Sequence, residues 1–184
     1  MERSSLHLPQ AACVWVTVGT RLHAELNLKW VGEVKQVLDR NPGARWLLVG
    51  QEGQHLQGLG LDHPQIVIRP FERQVQNLLK ACDLYLNPPR RGGGHSVACA
   101  MRNGLAVLSM RGGDGGDKVG PWGATDDADY FERLHRLSEQ PVELRALGMS
   151  MQKRFEEAFD MSRAGNFLLQ TMQRTMELGA SRLC

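Results

Sequence analysis

The stretch Asp83-Leu-Tyr-Leu-Asn-Pro-Pro-Arg-Arg-Gly-Gly-Gly-His-Ser96 holds the end of one structural element and the start of the next. Its first four residues are mostly apolar and have the length of a buried strand. Asn87-Pro88-Pro89 ends the strand, because proline has no N–H to donate to a sheet. A glycine loop follows, and the spacing then predicts a short helix from His95 to about Asn103. Such a strand–turn–helix segment is the building unit of an α/β fold.

The same alternation of strand and helix recurs on both sides of this stretch. Apolar spacing predicts helices from Leu26 to Leu38 and over Gln74 to Ala81. Four further apolar runs read as strands, at Cys13–Val18, Trp46–Val49, Ile66–Ile68 and Leu105–Ser109. We therefore predict a doubly wound parallel sheet of Rossmann-like type. Ligands of such folds bind beyond the carboxyl ends of the strands, so function is expected in the loops there.

The two ends of the chain have different predicted roles. Residues 1–11 are polar and contain a proline, and we interpret them as a linker leading into a single domain that spans residues 1–184. The glycine-rich segment from Gly112 to Gly123 reads as a loop. Three helices should complete the domain, at about Ala128–Glu139, Val142–Phe159 and Arg163–Leu178. Asp126 or Asp127 is the expected N-cap of the first of them.

Composition limits the classes of function. The formal net charge is only +2, which gives no general attraction for nucleic acid, so any anion site has to be local. The four cysteines form no CxxC pair and no zinc-site spacing, and no metal or cofactor is expected. No signal peptide or membrane-spanning stretch is visible, which favours the cytoplasm. A peripheral membrane contact of a longer parent protein stays open.

The glycine loop is the strongest functional signal. Gly92, Gly93 and Gly94 follow a strand and open a helix, whose unpaired N–H groups and dipole favour a phosphate. Arg90 and Arg91 add charge, and Ser96 a hydroxyl. A tight structural turn with solvated arginines is the alternative. The absence of Gly-Lys-Ser/Thr and of GxGxxG argues against a P-loop NTPase and a Rossmann dehydrogenase.

A second loop carries a weaker signal. Gly19, Thr20 and Arg21 follow the first predicted strand, so they should lie at the same edge of the sheet as the glycine loop. Arginine grips a diphosphate through two hydrogen bonds at once. A surface arginine near a helix start is the alternative interpretation.

Five pieces in one order resemble the C-terminal domain of GT-B glycosyltransferases of the group 1 type. They are Val18-Gly-Thr-Arg21, Asn41-Pro-Gly-Ala-Arg-Trp-Leu-Leu-Val-Gly50, Ile66-Val-Ile-Arg-Pro-Phe71, Ala81–Pro89 with its glycine loop, and Asn103-Gly-Leu-Ala-Val-Leu108. The resemblance covers about Cys13 to Leu178. It implies one half of a GT-B architecture, with C-terminal helices, that binds a nucleoside-diphosphate sugar. The acceptor would be held by an N-terminal domain that has no counterpart in this sequence.

The resemblance also implies particular binding residues. By position, Gly19, Thr20 and Arg21 match the loop that touches the diphosphate. Arg69, Pro70 and Phe71 match the segment beside the base, although packing in the core is an alternative role for Phe71. The set Gly92, Gly93, Gly94, His95 and Ser96 matches the loop and helix start that cradle the phosphates and sugar.

The sequence departs from the family at two positions. Arg91 and Cys99 stand where many relatives carry glutamates, and the second of those glutamates typically binds ribose hydroxyls, which a thiol does less well. Lys29 is too far along its helix to replace the family's first-loop lysine. The doubled arginine and triple glycine resemble a bacterial sub-branch, which implies polysaccharide biosynthesis.

Three functions remain open at this point. In the first, Arg21, Arg90 and the Gly92–Ser96 backbone stabilise the departing diphosphate of a glycosyl transfer, with no catalytic residue assigned. In the second, the domain kept the fold and lost donor binding. A sugar-nucleotide epimerase half is the third. Asp114 and Asp117 would face a donor sugar or a metal, or serve only as loop residues.

Overall fold

A computed structural model describes residues 3–160, 165 and 168–173 of the chain. Five parallel strands form one sheet in the order β3-β2-β1-β4-β5, which confirms the predicted doubly wound α/β fold. They are β1 (Cys13–Val18), β2 (Ala44–Val49), β3 (Ile66–Arg69), β4 (Leu84–Leu86) and β5 (Ala106–Leu108). The helices are α1 (Leu22–Glu25), α2 (Leu28–Arg40), α3 (Val75–Leu79), α4 (Gly94–Arg102), α5 (Gly113–Val119), α6 (Asp127–Glu139) and α7 (Pro141–Ala158).

The sheet is buried on both faces, as its apolar strands require. Alternate residues of β1 point to opposite sides: Trp15 packs under α2 and α6, whereas Val14 and Val16 pack in the cluster with α4 and α7. On the first face the indole of Trp30 meets that of Trp46 edge to face, with ring centroids 5.6 Å apart. These two cores hold the strand ends in place, and with them the loops that follow.

Strand order reverses at β1. The chain passes from β1 to β2 and β3 on one side, and then returns to pair β4 with the other side of β1. The loops after β1 and β4 therefore leave the sheet side by side at its carboxyl edge. In doubly wound folds this is where ligands bind.

The glycine-rich segment is not the loop that its composition predicts. Residues Gly113–Val119 form α5, and Gly120–Trp122 a 3₁₀ turn. Glycine is a poor helix former, but here it allows close packing: a Cβ on Gly115 would overlap the side chain of Asn87. Tertiary contact thus overrides local propensity.

The last helices follow the predicted spacing as far as the structure describes them. Asp126 caps α6 by accepting a hydrogen bond from the Asp129 N–H at 2.9 Å, as predicted. Residues 165 and 168–173 of the predicted final helix are helical, and the rest of it lies outside the described residues. Within the described part of the chain, no helix has both the length and the hydropathy needed to cross a membrane.

The segment interpreted as a linker is instead packed onto the domain from residue 3 onward. Leu6 and Leu8 are buried in the core cluster of the α4 and α7 face. The Arg3 guanidinium donates to both carboxylate oxygens of Asp83, at 2.8 and 2.7 Å, and to the Ala81 carbonyl at 3.0 Å. The segment is fixed beside β4 by these two leucines and by the bidentate ion pair. Its polar composition gave no indication of this packing.

Replacing Arg3 by alanine is expected to lower the free energy of unfolding by about 2 kcal/mol, because Asp83 loses a bidentate partner. The Val14 N–H still donates to this carboxylate at 2.7 Å, which limits the loss. Urea denaturation of both proteins measures the difference. An Arg40→Ala variant, changed at the last residue of α2, serves as the control, and equal losses in the two variants would contradict the packed role of Arg3.

Candidate functional site

The loops after β1 and β4 meet, as the sequence predicts. A Cβ atom on Gly92 would lie 3.9 Å from Nη2 of Arg21, so the first loop and the glycine loop lie next to each other, and the space between them is called the crevice below. Thr20 and Arg91 are exposed beside them. This crevice is the switch point of the sheet.

Helix α4 begins at Gly94, directly after the glycine loop that borders this crevice. Its N-cap, Gly93, has φ 92° and no side chain to bond the first-turn amides. The Gly93 carbonyl accepts the N–H of Val97 at 3.0 Å, which is the first bond of the helix ladder. The N–H groups of Gly94, His95 and Ser96 precede that ladder, so they lack intrahelical acceptors. Together with the helix dipole, these groups have the chemistry that favours an anion.

Arg90 does not face the crevice, which corrects the prediction that it binds the ligand. Its side chain is only 4% exposed. The guanidinium donates to Glu25 Oε2 at 2.5 Å, Asn87 Oδ1 at 2.8 Å, the Val18 carbonyl at 3.0 Å and Tyr85 Oη at 3.2 Å. A buried cation needs such partners, and α1 and the ends of β1 and β4 supply them. Arg90 therefore braces the two loops from behind.

Glu25 is a residue of the site that sequence reasoning missed. Its carboxylate lies between two arginines, with Oε2 on Arg90 and Oε1 3.5 Å from Nη2 of Arg21. The side chain is 16% exposed. The spacing of four residues between Arg21 and Glu25 was the available signal, because it puts them on one face of a helix.

The Ser96 hydroxyl is engaged within the protein. It donates to the Gly93 carbonyl at 3.0 Å and accepts a hydrogen bond from Tyr85 Oη at 2.8 Å. Burial raises the pKa of the Tyr85 phenol above its ordinary value, so the phenol stays protonated and remains a donor. Ser96 thus shapes the helix start and offers a ligand its backbone N–H.

His95 and Cys99 lie one turn apart on α4. The imidazole Nε2 of His95 is 3.6 Å from the thiol of Cys99, and His95 is exposed whereas Cys99 is buried. Burial raises the pKa of the Cys99 thiol, so the group is neutral near pH 7. The two residues border a pocket of about 330 Å³ together with Arg73, Gln74, Val75, Gln76 and Asn77.

Arg69 and Phe71 lie on the same edge but farther away. Arg69 ends β3, which is two strands from β1, so the separation is about 10 Å at ordinary strand spacing. Phe71 is 63% exposed, so the alternative of core packing is wrong for this residue. Among the predicted residues, Arg21 and the glycine loop come together, while this pair stands apart from them.

Asp114 and Asp117 lie on α5 and are exposed. The Asp114 N–H donates to the Arg91 carbonyl at 2.9 Å, which places Asp114 against the start of α4. Within residues 3–160 and the short described helix near the C-terminus, no three His, Cys, Asp or Glu side chains form a group that could hold a metal ion.

Comparison with known proteins identifies the fold. No family model and no curated sequence matches the chain, but solved structures do. It is similar to WaaG, a glycosyltransferase involved in lipopolysaccharide biosynthesis, with TM-score 0.65 and 17% identity over 86% of this chain and 46% of that one. It also resembles HepE from Anabaena in complex with UDP, with TM-score 0.67 and 17% identity over 94% and 51% of the two chains.

A third similar structure is a single domain. The C-terminal domain of LpcC, a group 1 family glycosyl transferase from Francisella tularensis, matches with TM-score 0.64 and 13% identity, over 85% of this chain and 90% of that one. By contrast, the chain spans about half the length of WaaG and HepE. The chain thus has the fold of the C-terminal half of a GT-B glycosyltransferase.

Proposed function

We propose that this chain is the donor-binding domain of a glycosyltransferase and binds a nucleoside-diphosphate sugar. One observation carries the proposal: Arg21 and the uncapped N-terminus of α4 meet at the switch point of a GT-B-like sheet. The crystal structure of HepE, which is similar in fold, is of its complex with UDP. We place the acceptor site in an N-terminal domain outside this chain, since the similar full-length enzymes are about twice as long.

The proposed chemistry is electrostatic. When the bond between the sugar and the diphosphate breaks, negative charge grows on the departing phosphate. The N–H groups of Gly94 to Ser96 stabilise this charge without having to reorganise, because the fold already holds them in place, and the exposed Arg21 guanidinium adds its positive charge. The exposed ring of Phe71 is suited to stack on the base, and Arg69 lies beside it. We place the protein in the cytoplasm of a bacterium, in polysaccharide biosynthesis like WaaG.

Titration calorimetry with UDP, GDP, ADP and dTDP tests the proposal. We expect one of them to bind, weakly, and no sugar transfer by this chain alone, because the acceptor domain that we propose lies outside it. If none of the four releases or absorbs heat at millimolar concentration, donor binding by this chain is refuted.

Arg21→Met is expected to lower the affinity for the nucleotide that binds by about tenfold. A hydrogen bond to a charged group contributes about 1.5–3 kcal/mol, and solvent screens an exposed one. Calorimetry on both proteins measures the change. Arg45→Met is the matched control, because Arg45 lies at the opposite end of β2 from the site. Equal affinities for Arg21→Met and the parent chain would remove Arg21 from the site.

A second candidate is a domain that kept the fold and lost donor binding. The buried, neutral thiol of Cys99 favours it, because this position carries a glutamate for ribose in the family that the sequence resembles. Cys99→Glu decides between the two candidates. Nucleotide binding that appears only in this variant supports the second, and binding by the parent chain supports the first.

A further inference from the structure

Two arginines share the Glu25 carboxylate unequally. Arg90 donates to Oε2 at 2.5 Å and is 4% exposed, whereas Arg21 lies 3.5 Å from Oε1 and is 74% exposed. A separation of 3.5 Å in solvent makes a weak ion pair, while a short, shielded contact makes a strong one. Arg90 thus neutralises Glu25, and Arg21 is held only loosely.

Arg90 cannot easily leave this position. Three further acceptors hold its guanidinium: Asn87 Oδ1, the Val18 carbonyl and Tyr85 Oη. Gly93 covers it, since a Cβ there would lie 2.5 Å from Nε of Arg90. The exposed side chain of Arg21 can therefore change its conformation, whereas the buried side chain of Arg90 cannot easily do so.

We propose that Arg90 is a positioning residue, which keeps Arg21 available to an anionic ligand by occupying Glu25. The ligand side of this inference rests on the proposed function, but the competition for Glu25 does not. Without Arg90, the carboxylate of Glu25 would have Arg21 as its nearest cation, one helical turn away. Arg21 would then close onto Glu25 and leave the crevice.

The competition is measurable without any nucleotide. Phenylglyoxal modifies accessible arginine side chains, and peptide mass spectrometry gives the rate at Arg21 relative to exposed Arg102 in the same sample. In Arg90→Met we expect the relative rate at Arg21 to fall about fivefold, as a gained ion pair near 1 kcal/mol implies. In Arg90→Met/Glu25→Gln it should recover and rise at least twofold above the parent value, because no carboxylate is left to pair with Arg21.

Nucleotide affinity supplies the second measurement. Arg90→Met should lose about as much affinity as Arg21→Met, and the double variant should regain most of it. If Arg90 only supports the fold, removing its partner Glu25 as well destabilises the domain further. Arg90→Met/Glu25→Gln then binds nucleotide no better than Arg90→Met. That outcome, or an unchanged Arg21 rate in Arg90→Met, overturns the proposal.

Failure of the proposed function would look different. A parent chain that binds no nucleotide refutes donor binding, yet the modification rates still decide whether Arg90 keeps the pairing of Arg21 with Glu25 weak. If circular dichroism shows that Arg90→Met does not fold, Glu25→Gln alone is decisive. It should raise the Arg21 rate at least twofold by releasing the present weak pair, and a rate equal to the parent's would refute the shared carboxylate.

Discussion

Gly50→Ala is expected to lower the free energy of unfolding by about 3 kcal/mol or more. Gly50 directly follows β2 and has φ 122°, a conformation that side chains rarely adopt, and a Cβ there would overlap the carbonyl oxygen of Gly19. The strained backbone costs on the order of 1–3 kcal/mol and the overlap a similar amount. The nearest atoms to such a Cβ, the carbonyl oxygen and carbon of Gly19, belong to the main chain, so no rotamer change relieves the contact. Urea denaturation of the variant and the parent chain measures the loss.

The matched control is Gly43→Ala. Gly43 precedes β2, its φ is not positive, and a Cβ there would have nothing within 4 Å. We expect a change within about 0.5 kcal/mol. Comparable losses in the two variants would show that β1 and β2 do not approach each other closely at their carboxyl ends, and the geometry assigned to the first loop would be wrong.

Gly93→Ala is expected to cost about 3 kcal/mol of stability and most of the nucleotide affinity. Gly93 has φ 92°, and its Cβ would lie 2.5 Å from Nε and 2.8 Å from Cζ of the buried Arg90. Either the guanidinium moves and leaves Glu25 unpaired, or the glycine loop shifts and misaims the amides of α4. Affinity should fall by at least about tenfold in both cases, because several charge-assisted bonds depend on that aim. Chemical denaturation and calorimetry together test this.

Gly58→Ala separates backbone strain from crowding. Gly58 has φ 81°, close to that of Gly93, but a Cβ there would meet nothing within 4 Å. It should cost only about 1 kcal/mol and leave nucleotide binding unchanged. If Gly93→Ala costs no more than Gly58→Ala, Arg90 does not lie behind the glycine loop, and its role as a brace is refuted.

The strands and most of the helices could be read from local patterns. Cys13–Val18 is strand in the prediction and in the structure, because an apolar run of that length can be buried on both faces of a parallel sheet. The single-turn α1 escaped notice, since four residues are too few to show a helical period. The loop predicted for the segment that contains Gly113–Val119 was wrong. These residues form a helix, because they pack closely against Asn87 and Met110, and helix propensity alone would not have indicated it.

The candidate site was only partly predictable. The nearness of Arg21 to the glycine loop follows from the rule that ligands bind at the switch point, once the strand alternation is recognised. The separate fates of Arg90 and Arg91 do not follow from any local pattern. Adjacent arginines in one loop look alike in sequence, and yet Arg91 is exposed whereas the side chain of Arg90 is buried.

The sequence by itself determined the class of fold, the order of its elements and the edge of the sheet at which chemistry is expected, because hydrophobic periodicity and glycine placement act over a few residues. Only the tertiary structure decided which charges face a ligand. Glu25, Asn87 and the Val18 carbonyl come from separate parts of the chain, and they bind Arg90 only after β1 and β4 are paired. A buried guanidinium must lie where its acceptors converge, and that convergence is a property of the packed sheet.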